Sequence, residues 1–260
     1  KDTIDFVDNY DGTMQEPTLL PVSFPNILVN ANQGIAVGMA SNICSFNLSE
    51  VCDTAIELIK NPSHRVSLTL KAPDFSTGGS IVFSHSDMER IYETGRGTFR
   101  IRAKYEYDKK RNSIDILEIP YTTSIENIMD KIAELIKAGR LKEVADARDL
   151  TDLNGLKISL ELRRGVDPDT VMQKLYKLTP LEDTFGCNFN VLVGGMPRVM
   201  GVREILDEWL AFRTECIKRR LYFDMTRKKQ RLHLLRGLEK ILLDIDKAIA
   251  IIRGTEEEAE

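Results

Sequence analysis

The sequence predicts an α+β fold, a mixed sheet with helices followed by one long coiled-coil helix. Two observations carry this. Residues 98–193 read in order as strand, strand, helix, strand, strand, helix, strand, with period-two and helical runs taking turns. From Val202 to Arg253 there is no proline, and only Gly237 interrupts a helical pattern. The 260 residues accordingly divide into an N-terminal part (1–97), an α+β core (98–201) and a long helix (202–260).

The N-terminal part opens with turns and extended segments. "NYDGT" (9–13) is a turn, and Pro17, Pro21 and Pro25 forbid a helix interior in "EPTLLPVSFPN". "ILVN" (27–30) reads as a short buried strand. Asn47 is an N-cap for the helix "LSEVCDTAIELIK" (48–60), which Asn61-Pro62 stops. "PDFSTGGSIVF" is a turn into a strand. "SDMERIYETGRG" is a short helix with Ser86 and Glu89 at capping-box spacing.

In the core, "TFRIRAKYEYD" (98–108) alternates as one strand, "DKKRNS" turns, and "IDILEIP" (114–120) alternates again. The helix "TSIENIMDKIAELIKAGR" lines Ile125, Ile128, Ile132 and Leu135 along one face and ends at Gly139. "EVADARDLT" and "GLKISLELR" follow as strands. "DPDTVMQKLYKLT" is a helix with Pro168 at its first position, and "FNVLV" (189–193) is a last strand. In the final part, Leu235, Leu238, Leu242, Ile245, Ile249 and Ile252 recur at three- and four-residue steps, a heptad seam. Roughly fifty helical residues make a rod on the order of 75 Å long. A kink is expected at Gly237, and the acidic tail "TEEEAE" is expected to fray.

Composition narrows the function classes. Apolar residues make up 42% and charged residues 29%, which excludes global disorder, and no apolar run reaches bilayer length. The acidic start "KDTID" has no initiator Met and no signal-peptide core, so the chain is expected to be a piece of a longer, cytoplasmic protein with no membrane partner. Cys44, Cys52, Cys187 and Cys216 lack metal-ligand spacing and read as reduced thiols; His64, His85 and His233 are scattered. No nucleophilic triad, metal motif or P-loop is present, so no catalytic residue and no metal ligand is assigned. The net charge of −4 disfavours nucleic acid, but Lys218, Arg219, Arg220, Arg227, Lys228, Lys229, Arg231 and Arg236 cluster against Asp224 alone. That stretch is either the solvated face of a long helix or a phosphate-facing surface.

One stretch asks for a partner. "NANQGIAVGMAS" (30–41) places Ile35 among small residues and between Gly34 and Gly38. Ile35 either packs in a core strand or sits at the exposed tip of a loop that approaches something closely. Here the sequence resembles a known family. "DFVDNYDGT", "EPTLLPVSFPNILVNANQGIAVGMASNICSFNLSEV", "PDFSTGG", "YETGRG", "EIPYTTS", "DKIAELIKAGRL", "DLNGLKISLELRRG", "LYKLTPLEDTFGCN" and "MPRVMGVREILDEWLAFR" closely resemble the A subunit of bacterial type IIA DNA topoisomerases, DNA gyrase and topoisomerase IV. "GIAVGMAS" looks more like the gyrase form, and the choice between the two rests on those few residues.

The resemblance implies a tower domain, with 1–97 its N-terminal part, 98–201 its core, and 202–260 the first long helix toward an exit gate. It implies a breakage–reunion subunit that works with ATP and magnesium bound by a B subunit, with no cofactor in this chain. The implied partners are duplex DNA, a second A subunit and the B subunit, in an A2B2 assembly. The position matching the family's wedge, inserted between base pairs to bend the duplex, is Ile35, with Gly34 allowing close approach. Arg198 in "MPRVMG" and Arg219, Arg220 and Lys228 in the basic stretch are the further DNA-binding candidates. The family's nucleophile is a tyrosine preceded by arginine, upstream of the "NYDGT" word. None of the seven tyrosines here follows an arginine, so the chain is expected to be inactive alone. A second reading, a structural dimerisation arm without direct DNA binding, stays open.

Overall fold

The computed structural model describes residues 3–254, except the side chain of Ala248; the tail expected to fray (255–260) falls outside the described residues. The chain divides into two units. One is Phe24–Glu208; the other joins the segment up to Ser23 with the chain from Trp209 onward.

In the latter unit, β1 (Phe6–Asp8) and β2 (Gln15–Pro17) form an antiparallel pair. Asp11 builds the turn between them by accepting from the amide and hydroxyl of Thr13 at 3.1 and 2.6 Å.

In the Phe24–Glu208 unit the first element corrects the sequence reading. "ILVN" is one helical turn, α1 (Asn26–Val29), and not a strand. Pro25 sets φ at −75°, ready for a helix start, and the Asn30 amide closes on the Asn26 carbonyl at 3.0 Å. A four-residue apolar run carries no period that separates the two readings, since Leu28 is buried in either. There follow β3 (Asn32–Ala36), β4 (Met39–Ile43), α2 (Leu48–Lys60), β5 (Ser80–Val82), α3 (His85–Thr94) and β6 (Arg96–Arg102). Asn47 caps α2 as expected, accepting from the Ser49 and Glu50 amides. The capping box expected for α3 does not form. Its N-cap is Ser84, the Ser84 and Ser86 hydroxyls bond each other at 3.2 Å, and Glu89 turns to Arg65 at 3.1 Å.

The unit continues with β7 (Lys104–Asp108), β8 (Ser113–Glu118), α4 (Ile125–Lys137), β9 (Val144–Asp149), β10 (Ile158–Leu162), α5 (Pro168–Leu178), β11 (Glu182–Asn188), β12 (Asn190–Val193) and β13 (Met196–Val199). Ser124 and Asp167 cap α4 and α5 through their side chains.

The α+β class holds, but the single mixed sheet does not. Two larger sheets form, ordered β3-β4-β11-β6-β5 and β7-β8-β10-β9, and every pairing within them is antiparallel. Two residue-level facts explain the difference. The alternating run 98–108 is two strands, broken at Ala103. That residue is buried, its amide donates to the Leu181 carbonyl at 2.7 Å, and its carbonyl accepts from the Tyr176 hydroxyl at 2.9 Å. With both backbone groups taken, the chain leaves one sheet and enters the other. The second fact is β11, which the sequence reading left unassigned. It pairs with β6 over seven residues, from Glu182↔Arg102 to Asn188↔Arg96. Its inward residues Phe185 and Cys187 alternate correctly, but the acids and Gly186 between them mask a strand.

Each sheet buries one face. Ile114, Ile116, Ile158 and Leu160 of the four-stranded sheet pack under Ile128, Ile132 and Leu135 of α4 and Val171, Met172 and Leu175 of α5. The five-stranded sheet buries Ile43, Phe99, Ile101 and Phe185; Phe99 stacks on Phe185 at 5.4 Å and Phe75 lies 5.2 Å from the same ring. Each such side chain contributes about 1.5–3 kcal/mol when fully buried.

The chain ends in α6 (Val202–Leu243) and α7 (Ile245–Gly254). Gly237, where a kink is expected, lies inside α6 without interrupting it; the break between the helices falls at Asp244. Asp244 stands at the N-cap of α7, where a short carboxylate is favoured, whereas one glycine costs only about 1 kcal/mol inside a helix. The seam residues Leu235, Leu238, Leu242, Ile245, Ile249 and Ile252 are all exposed. Among the described residues no helix is long and apolar enough to cross a membrane.

Candidate nucleic-acid interface

The stretch around Ile35 forms a hairpin. β3 and β4 pair from Asn32↔Ile43 to Ala36↔Met39, leaving Val37 and Gly38 as a two-residue turn. Gly38 takes φ +82°, the position of such a turn that a Cβ would strain. The tip is therefore Val37–Gly38, immediately after the Gly34–Ala36 stretch expected to form it. Ile35 lies two rungs below the turn, in the Ile35↔Ala40 pair, and is 86% exposed. An isoleucine that open is not held by the protein's own packing. A Cβ on Gly34 would meet nothing within 4 Å, so packing within the chain does not demand a glycine there either.

A second hairpin stands beside the first. β12 and β13 turn at Gly194–Gly195, both at positive φ, as a tight primed turn requires. Arg198, exposed on β13, pairs across to Val191. A groove of about 270 Å³ separates the hairpins, walled by Gly34, Ile35 and Met39 on one side and Val191, Leu192 and Pro197 on the other. Side-chain amides seat the first hairpin. The β4–β11 ladder has one registered pair, Asn42↔Asn188, and three asparagines supply the rest. Asn188 and Asn190 donate to the Ala40 carbonyl at 2.7 and 3.3 Å, and Asn42 donates to the Gly186 carbonyl at 2.7 Å. Sequence reasoning missed these residues, because their partners are set by strand pairing about 150 residues away.

The solvent face of the five-stranded sheet is polar and cationic. β6 turns Arg96, Thr98, Arg100 and Arg102 outward and Phe99 and Ile101 inward. Glu182 on β11 accepts from Arg100 at 2.8 Å and from Arg102, whose guanidinium also lies 5.2 Å from the Tyr176 ring centre. Burial pushes the Glu182 carboxyl up, but the two arginines outweigh it and hold it below the usual glutamate range. The signal for this row, arginine at three of the four alternate positions of "RGTFRIR" (96, 100 and 102, with Thr98 between), is legible in the sequence.

Of the sequence-predicted DNA contacts, Gly34, Ile35 and Arg198 come together at the two hairpins. Arg219, Arg220 and Lys228 belong to the other unit, on α6. Arg220 and Lys228 are exposed there. Arg219 instead pairs with Asp5 at 2.9 Å and donates to the Ile4 carbonyl. All four cysteines are free thiols, and burial pushes the Cys44 thiol well up. Among the described residues no group of three or more His, Cys, Asp or Glu could hold a metal ion.

Residues 1–260 match the family described as the A subunit of DNA gyrase and topoisomerase IV. The chain belongs to that family. It is 41% identical to the DNA gyrase A subunit of Clostridium acetobutylicum and 40% identical to that of Halalkalibacterium halodurans, in each case over 98% of this chain and 31% of the relative. A probable chloroplastic/mitochondrial DNA gyrase A subunit of Oryza sativa is 39% identical over 98% of this chain and 28% of its own length. The chain thus spans less than a third of the length of these curated relatives.

Proposed function

We propose that this chain is a DNA-binding and DNA-bending part of the breakage–reunion subunit of a gyrase-like type II topoisomerase, with Ile35 as the wedge. The observation that carries the reading is an isoleucine 86% exposed on a hairpin seated by three asparagines, in a chain of this family. An apolar side chain at a base step replaces stacking contacts and concentrates the bend there. Smooth bending of a short duplex costs of order 1–6 kcal/mol, and one unstacked step localises that strain. Arg198, on the neighbouring hairpin, supplies a guanidinium for a phosphate beside the step. On this reading the whole protein is cytoplasmic and passes one duplex through a break in another, as part of an A2B2 assembly whose B subunit binds ATP and magnesium.

The test is Ile35→Ala, read by energy transfer between the ends of a bound duplex and by thermal unfolding. The bend decreases while stability stays within about 0.5 kcal/mol, because an exposed side chain takes little core contact with it. Equal losses of bending and stability would return Ile35 to a structural role. The exposed seam Leu235–Ile252 supports the second reading, a dimerisation arm. A scaffold of that kind gives no dependence of duplex affinity on salt, whereas a phosphate-binding surface gives a steep negative slope.

A further inference from the structure

Two thiols lie under the seat of the first hairpin. Register runs from Ile35↔Ala40 through Asn42↔Asn188 to Asn188↔Arg96. Alternation then puts Ile35 and the β6 arginines on the solvent face, and Ile43, Cys187 and Phe99 on the buried one. β4 ends at Ile43, so Cys44 escapes that alternation and is buried too. Its Sγ lies 3.9 Å from the Sγ of Cys187, 143 positions away in the chain. We propose that Cys44 and Cys187 form an oxidation site: a peroxide converts the pair to a disulfide, which pins the Ile35 hairpin to the five-stranded sheet.

The sulfurs already touch, and a shift of about 2 Å brings them to the S–S bond length of about 2.05 Å. Rotation about a Cα–Cβ bond moves a sulfur that far. The bond would fall where the sheet is weakest. β4 and β11 share one registered pair, against seven between β11 and β6 and five between β3 and β4. Burial pushes the Cys44 thiol well up, which keeps the closed pair slow to react. The weak joint opens locally and admits a small neutral oxidant, and Cys187, 6% exposed against 0% for Cys44, meets it first. The Cys187 thiolate attacks one oxygen of hydrogen peroxide. The O–O bond breaks, the sulfur keeps a hydroxyl as sulfenic acid, and the departing hydroxide takes up the thiol proton as water. The Cys44 sulfur then displaces that hydroxyl. The S–S bond forms, the S–O bond breaks, and the Cys44 proton leaves with the hydroxyl as a second water. Two thiols have lost two electrons, and one peroxide has been reduced. With the second sulfur already in contact, closure outruns further oxidation of the first.

The experiment treats the whole chain with hydrogen peroxide, blocks the remaining thiols by alkylation and maps peptides without reduction. The expected product joins Cys44 to Cys187 and leaves Cys52, on α2, and Cys216, on α6, alkylated. The melting temperature rises by about 5–10 °C, because the bond closes a long loop. Hydrogen exchange across β3 and β4 slows, and dithiothreitol reverses both changes. Cys187→Ala abolishes the link, the melting shift and the slowed exchange; if that variant does not fold, the peptide map of the unsubstituted chain decides. The site is overturned if exposed Met14 and Met196 are oxidised while both thiols stay alkylatable, if Cys187 reaches sulfinic acid without a link, or if the link forms only after denaturation. A link that leaves melting and exchange unchanged overturns the pinning. Bending by Ile35 is measured on the reduced chain, so the wedge reading stands or falls separately.

Discussion

The two large sheets obey one folding rule and present opposite surfaces. In each, alternate residues bury an apolar face and turn polar residues to the other side, although on the four-stranded sheet Ser113, Asp115 and Ser159 of that polar side are themselves buried. On the five-stranded sheet, arginines outnumber the carboxylate that pairs with them. On the four-stranded sheet, register places Glu106, Asp108, Asp115, Asp146 and Glu161 together with Arg148 and Lys157. There the bases are consumed: Lys157 pairs with Asp115 at 2.6 Å, and Arg148 pairs with Asp146 at 2.7 Å and Glu161 at 3.6 Å. A surface that closes its charges on itself and retains an acidic excess repels phosphate. One that leaves guanidiniums over attracts it. The net charge of −4 averages the two and conceals both.

The contrast can be broken at its base. Gly95 joins α3 to β6 at φ +68°, and a Cβ there would lie 2.2 Å from the Met200 carbonyl oxygen. Gly95→Ala therefore costs more than about 3 kcal/mol, combining the strained backbone with a clash against main chain that cannot rotate away. Hydrogen exchange should show β6 and β11 losing protection well before β8 and β10. Uniform loss across both sheets would mean they unfold as a single cooperative block.

A smaller effect sharpens the acidic side. Burial pushes the Asp115 carboxyl up, but hydrogen bonds from Lys157, Ser159 and Ser113 outweigh it and leave it below its usual 3.8. A carboxyl depressed in the folded state adds stability above its unfolded value, and that stability is lost as pH falls through the folded one. Lys157→Met should cost about 2 kcal/mol at neutral pH, by stripping the partner from a largely buried carboxylate. It should also make the loss of stability below about pH 4 less steep in urea titrations. An unchanged acid limb would assign the depression to the serine hydroxyls. Smallest is Tyr176→Phe, which keeps the ring near Arg102 but deletes the hydroxyl bonded to Ala103, the residue where one sheet hands over to the other. About 1 kcal/mol is expected, with no change in duplex affinity. A change in affinity would show that the junction transmits strain to the cationic face.

Local chemistry made much of this protein legible as sequence. Asn47 caps its helix as read, because a cap needs only a short polar side chain two or three residues from the amide it serves; Ser124 and Asp167 do the same at α4 and α5. The amphipathic face of α4 follows from periodicity alone, and the glycine-flanked Ile35 left two readings, core strand or exposed tip, of which the structure has the exposed one. What the sequence left undecided depends on residues far apart in the chain. Whether 98–108 is one strand or two turns on the bond the Ala103 amide donates to the Leu181 carbonyl and the one its carbonyl accepts from the Tyr176 hydroxyl. Whether "EDTFGCN" is a strand turns on β6 lying beside it. Gly237 was singled out by propensity, and the helix broke instead at Asp244. The row of arginines was visible in "RGTFRIR", but tertiary pairing alone put it on one face with Ile35, through two intervening strands. Strand register is set by non-local backbone hydrogen bonds, and no local window of sequence contains them.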